Sequence, residues 1–225
     1  MRFDAILFDF DGVLIDSEAF GSRHLAAYLS SAGHPTTPEQ TIRFMGLAGE
    51  AFRTAVADWI GRPLPEDFGD GLATASARAL KDGIDEIAGA VAFVRALPAD
   101  LPIAVVSSST THWLTTHLGH IGLRARFGDH VYSGREHVAR GKPAPDLYLF
   151  GARQLGVDIA RTAIIEDSPV GATGAVASGA HVIGLCAGSH CPPDHGVTLR
   201  AIGVHDIAGD FAAVQRIVSA SPGRS

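Results

Sequence analysis

Asp9 and Asp11 stand two residues apart just after the apolar run Ala5-Ile6-Leu7-Phe8, and Gly12 follows them. An extended backbone aims alternate side chains to one side, and glycine permits the sharp turn that must come next. Asp-Gly is also an ordinary turn signal, which is the competing explanation. Two further apolar runs end in comparable polar groups, Ser107-Ser108-Ser109-Thr110 and Glu166-Asp167-Ser168-Pro169. Either group could simply cap the helix that follows it, with Pro169 in a first turn. A helix N-terminus rich in hydroxyls also holds phosphate. A cap, however, needs one short polar residue, and the adjacent acids Glu166 and Asp167 repel each other unless a cation or a proton intervenes. If Asp9, Asp11, Glu166 and Asp167 converge, their oxygen donors suit Mg²⁺.

Lys142, in Gly141-Lys142-Pro143-Ala144-Pro145-Asp146, is the remaining candidate. The chain has sixteen arginines and only two lysines, Lys81 and Lys142. A compact ammonium fits between carboxylate and phosphate where a planar guanidinium does not.

These groups need elements to bring them together. The apolar runs 5–8, 103–106, 130–132, 163–165 and 182–185 read as strands buried on both faces, as in a parallel sheet. Helical patterns at 113–121, 146–155 and 170–178 alternate with them, which predicts a doubly wound, Rossmann-like α/β core. In such sheets ligands bind beyond the carboxyl ends of the strands, where all four groups lie. From 16 to 90 only helical patterns occur, at 18–32, 38–45, 50–60 and 67–82, too much for one crossover. The expectation is a core of residues 1–15 and 91–225 with a small all-helical domain, 16–90, inserted after the first strand.

The pattern Asp9-x-Asp11-Gly12-Val13-x-x-Asp16-Ser17-Glu18, with Ser107, Lys142-Pro143 and Glu166-Asp167 in order, resembles the haloacid dehalogenase superfamily. The similarity is to its phosphatase and β-phosphoglucomutase-like branch and covers nearly the whole chain, the helical insertion resembling that branch's cap domain. The resemblance implies that Asp9 attacks phosphorus and becomes an aspartyl-phosphate. It implies that Asp11 protonates the leaving oxygen and then deprotonates water. It places Mg²⁺ on the Asp9 carboxylate, the Asp11 carbonyl and Asp167, with Glu166 acting directly or through water. Ser107, Ser108 and Lys142 would bind the phosphoryl oxygens. The branch's mutases carry a His shortly after the first motif, an Arg in the cap loop and a Lys three positions after the second-motif serine. This chain has Phe20-Gly21-Ser22, Gly46-Leu47-Ala48-Gly49 and Thr110 there, so the resemblance favours hydrolysis over phosphoryl return. Asp11 argues against dehalogenation, and Lys81, the one lysine of the insertion, lies too near its end to favour phosphonate chemistry.

The substrate expected is a small phosphate ester, a sugar or sugar-acid phosphate. Phe20, Arg23, Arg43, Met45 and Arg53 are cap candidates for specificity, against the alternative that they pack the cap or face solvent. His112, His117 and His120 do not share one helical face and read as surface residues rather than metal ligands. A net charge of −6 argues against a nucleic-acid partner, and no apolar stretch reaches the roughly 20 residues of a membrane span. Cys186 and Cys191 read as free thiols, the tail 221–225 as disordered, and the chain as a cytoplasmic monomer or weak homodimer.

Overall fold

Six short runs form strands: β1 (Ala5–Phe8), β2 (Ile103–Ser107), β3 (Val131–Ser133), β4 (Thr162–Glu166), β5 (His181–Leu185) and β6 (Asp206–Ala208). They make one sheet in the order β3-β2-β1-β4-β5-β6, and every neighbouring pair is parallel. The computed structural model describes residues 1–44, 47 and 49–220. Met45, Gly46, Ala48 and the tail 221–225, named above, lie outside the described residues. The first five strands coincide with the apolar runs read from sequence to within a residue or two. β6 is three residues long at the sheet edge and includes Asp206, so it carries too little apolar pattern to be found.

Contacts divide the chain into two units, one of residues 1–16 with those from 85 onward, the other Ser17–Ile84. The helical unit ends at Ile84 rather than at 90 because the next residues pair back onto the first strand's extension. Asp16 donates to the Asp85 carbonyl at 2.9 Å, Ile87 donates to the Leu14 carbonyl at 3.1 Å, and Ile15 bridges Glu86.

The helical unit comprises α1 (Ser17–Ser31), α2 (Pro38–Thr41), α3 (Gly49–Ile60) and α4 (Phe68–Asp82). α2 is shorter than the 38–45 expected and gives way to a 3₁₀ turn over Ile42–Phe44. The Thr41 hydroxyl donates back to the Pro38 carbonyl at 2.7 Å, a local bond that competes with helix continuation. Leu25, Leu29, Phe44, Val56, Ile60 and Phe68 form this unit's own buried core.

The sheet unit carries α5 (Ala90–Ala96), α6 (Thr111–His120), α7 (Arg124–Phe127), α8 (Asp146–Leu155), α9 (Pro169–Ala177), α10 (His195–Ile202) and α11 (Phe211–Ser219). One sheet face, with Leu7, Val106, Ile164 and Val182, packs on Leu147, Tyr148, Ala172 and Leu199. On the other, Phe8 meets Phe93 and Phe127 edge-on, and Phe93 packs against Phe211 at 5.2 Å between ring centroids. Helices on both faces are what the uninterrupted apolar strands require. Among the described residues no helix is long and apolar enough to cross a membrane. Cys186 and Cys191 are free.

Candidate active site

β1 and β4 lie side by side at the middle of the sheet, where the strand order reverses and a crevice opens at the carboxyl ends. Asp9 directly follows β1, and its N–H donates to the Ile165 carbonyl at 2.9 Å, which fixes it beside β4. Lys142, from the loop before α8, reaches this point and donates to Asp9 Oδ1 at 2.6 Å and to Glu166 Oε1 at 2.5 Å. Its side chain is 4% exposed, so a charged lysine has been carried out of water and is tolerated only because two carboxylates face it. Burial works against the ammonium, but the charges of Asp9 and Glu166 outweigh it and hold its pKa well above the usual range. Asp9 is pushed the other way. Burial and the charge of Glu166 raise its carboxyl well above the ordinary value, and Lys142 only partly offsets them.

Glu166 is committed on every side. Oε1 accepts from Lys142 and from the Tyr148 hydroxyl at 2.8 Å, and Oε2 accepts from the Ser168 N–H and hydroxyl at 3.2 and 3.1 Å. α9 begins almost on top of it. A Cβ at Gly171 would lie 2.0 Å from Oε1, so only glycine allows that approach.

Asp167 differs from its neighbour. Oδ2 bonds to His190 Nε2 at 2.8 Å and the backbone carbonyl to His195 Nε2 at 2.5 Å, while Oδ1 is buried with no partner. Burial opposes a charged His190, yet its hydrogen bond to Asp167 pushes its pKa up to about 10. Gly12 turns with φ at +80° directly beside the Asp167 carboxylate, where a Cβ would come within 2.0 Å of Oδ2. Asp9, Glu166 and Asp167 each present a ligand atom within 4.8 Å of the others, and all are buried. Three buried carboxylates against two cations, with an orphan oxygen among them, fit a divalent metal ion.

Asp11 turns toward β2. Oδ2 accepts from the Ser109 hydroxyl at 2.6 Å and lies 3.5 Å from that of Ser107, and Oδ1 accepts from the Trp113 indole N–H at 3.1 Å. Ser107 is buried and takes the Ser109 N–H at 3.1 Å. Ser108 is exposed, and its carbonyl accepts from Arg135 Nε at 2.9 Å. The capping alternative is answered at both places: Thr110 caps α6 and Ser168 caps α9. Capping therefore falls to Thr110 and Ser168, which leaves Ser107, Glu166 and Asp167 free of the cap role.

The structure thus gathers Asp9, Lys142, Glu166 and Asp167 and joins Asp11 to Ser107. The cap candidates behave otherwise. The Arg43 guanidinium lies over Trp59 at 5.2 Å and that of Arg53 over Phe68 at 5.5 Å, both within the helical unit, and Phe20 stacks on His24 at 4.0 Å. Arg23 is exposed. The surface reading holds for His112 and His120 and fails for His117, which is fully buried, as are Leu114 and Leu118 of the same helix. Sequence reasoning missed Ser109, Trp113, Tyr148, His190 and His195. Only the last two carried a signal, since Gly188-Ser189-His190-Cys191 follows β5 at the same sheet edge.

A haloacid dehalogenase-like hydrolase family profile matches residues 3–179. The chain is 30% identical to hexitol phosphatase A of Escherichia coli (strain K12) over 85% of its length and 87% of that protein's. It is 29% identical to the 6-phosphogluconate phosphatase of the same organism, over 85% and 86%. Among solved structures, a HAD family hydrolase from Deinococcus radiodurans R1, determined with bound phosphate and sodium, superposes with a TM-score of 0.87. It is 33% identical, over 97% of this chain and 96% of that one. A putative β-phosphoglucomutase from Thermotoga maritima shares the fold at 23% identity and a TM-score of 0.77. The match over most of the length, on a parallel sheet whose carboxyl edge bears the expected acids and lysine, shows that the chain belongs to the haloacid dehalogenase-like hydrolases, in the branch that contains these phosphatases.

Proposed function

We propose that this enzyme is a Mg²⁺-dependent phosphatase that hydrolyses small phosphorylated sugars or sugar acids through a phosphate ester of Asp9. The observation that carries the reading is the buried Asp9–Lys142–Glu166 array with Asp167 Oδ1 left unpartnered beside it. A turn or a helix cap needs none of this. In the first step an Asp9 carboxylate oxygen attacks phosphorus, the phosphorus–oxygen bond to the sugar breaks, and Asp11 gives its proton to the departing oxygen. In the second, Asp11 takes a proton from water, the hydroxide attacks the same phosphorus, and Asp9 leaves as a carboxylate. Lys142 and Ser107 hold phosphoryl oxygens throughout, and Lys142 favours the ionised form of Asp9 and aims it. Asp9, the Asp11 carbonyl and Asp167 would hold the metal, whose charge offsets that of the phosphoryl group. Glu166, with both oxygens already bonded, acts by holding Lys142 and the start of α9.

In the same reading the unit Ser17–Ile84 is the cap, and the cytoplasm is the place of action. The substrate class rests on the named activities of the two E. coli relatives. The test is hydrolysis of p-nitrophenyl phosphate with Mg²⁺ and with EDTA, followed by a panel of sugar phosphates that includes glucose 1-phosphate to glucose 6-phosphate conversion. Phosphate release that needs Mg²⁺ supports the proposal. Isomerisation without release would replace it with a mutase.

A further inference from the structure

Asp11 is held by more than its role requires, and one of its partners can act in only one direction. Ser109 and Ser107 lie against Oδ2, and a hydroxyl can donate or accept. The Trp113 indole on Oδ1 can only donate. A proton on Oδ1 would weaken that oxygen as the acceptor of the indole N–H, whereas a proton on Oδ2 leaves that bond intact and can be passed to Ser109 or to a substrate oxygen. Oδ2 is also the oxygen beside Ser107, on the phosphate-binding side. The indole itself is clamped. His117 packs against it at 4.2 Å between ring centroids, fully buried and with both ring nitrogens unpartnered. Burial pushes the His117 pKa down to about 4, so at neutral pH this ring is an uncharged wall behind the tryptophan.

We propose that Trp113 is the positioning residue of the acid–base step: its indole N–H occupies Oδ1 of Asp11 and so assigns the transferable proton to Oδ2. The proposal rests on the phosphatase reading given above. When the ester bond breaks, the proton passes from Oδ2 to the leaving oxygen. When water attacks, its proton returns to Oδ2, while Oδ1 remains bonded to the indole.

The test is made in a Trp59→Phe background, which leaves Trp113 as the single tryptophan of the chain. Trp113 is changed to Phe and, separately, replaced by benzothienylalanine, which keeps the ring shape and lacks the N–H. On a sugar phosphate both changes should lower kcat about 10-fold with KM within about twofold, the pattern of an interaction used in the transition state. p-Nitrophenolate departs without a proton, so its first turnover should keep its rate and appear as a burst before slow release of phosphate. Unchanged kcat in both replacements, or an equal loss in the first turnover of both substrates, would overturn the assignment. The fluorescence of Trp113 gives a reading independent of turnover: Asp11→Asn should shift it, and an unshifted spectrum also overturns the assignment. If Asp11→Asn is slow while the Trp113 replacements are not, this inference alone falls. If Asp11→Asn turns over normally, the acid–base step falls and takes the inference with it.

Discussion

The carboxyl edge of the sheet and the helical unit Ser17–Ile84 use their charged residues in opposite ways. At the sheet edge Lys142 and Glu166 are buried and bonded to other titratable groups, and Asp167 keeps an oxygen in reserve. In the helical unit Arg43 and Arg53 lie exposed over aromatic rings that belong to that unit's own packing. Removing a buried, mutually bonded charge leaves another charge stranded, while removing an exposed cation from a ring costs little. The comparison supports the chemistry proposed for the sheet unit and gives the two arginines packing contacts within the helical unit.

Six substitutions would sharpen or break that contrast. Asp9→Asn should give the largest effect, a loss of ~10⁴-fold or more in kcat, as expected when a nucleophile is removed. Rapid-quench measurement with labelled substrate should find phosphate on the parent protein and none on the variant; substantial turnover by the variant would end the covalent reading.

The two adjacent acids should then part company. Asp167→Asn removes a carboxylate with an uncommitted oxygen and should raise the Mg²⁺ concentration for half-maximal activity by about 10- to 100-fold, whereas Glu166→Gln should raise it far less and lower thermal stability more. Titrating activity with Mg²⁺ and melting both variants decides this. The reverse order would move the metal onto Glu166.

His117 gives a smaller effect that is seen only with pH. Its folded pKa of about 4 lies below the ordinary 6.5 because burial disfavours the charged ring. The unfolded chain therefore binds a proton that the folded one refuses, and stability falls as pH drops through that interval. At pH 5 the loss is about 2 kcal/mol relative to neutral pH. His117→Leu should flatten this part of the curve in urea unfolding at pH 7.5 and pH 5. An unchanged slope would mean that the ring finds a proton partner.

Smallest of all, Arg43→Ala and Arg53→Ala should each cost about 0.5–1 kcal/mol of stability and change KM by less than about twofold. A tenfold rise in KM would assign the arginine to substrate and erase the contrast.

Much of this arrangement was legible in the chain because parallel strands write themselves as apolar runs and put their ligands at one end. That logic puts Asp9, Ser107, Glu166 and Asp167 at the carboxyl ends of strands. Lys142 stood out by composition. The short edge strand β6 escaped because three residues cannot show a period. Trp113 and Tyr148 escaped for a different reason: each sits inside a helix, where an aromatic residue reads as packing, and only the direction of its polar atom gives it a second role. His117 was misread because helical spacing tells which residues share a face and not which face is covered.

The sequence separations within the site have a consequence for how the enzyme comes into being. Lys142 is 133 residues from Asp9, and Ser107 is 96 from Asp11. Contacts of such long range close late in folding, after the loops between them have been ordered. In the reading proposed above, Asp11 is close to Asp9 in the chain, but Asp9 has neither Lys142 nor the neighbouring acids Glu166 and Asp167 until the loop before α8 and β4 reach β1. Under that reading competence waits for β4 to pair with β1, and a partly opened chain carries Asp9 without the groups that would activate it.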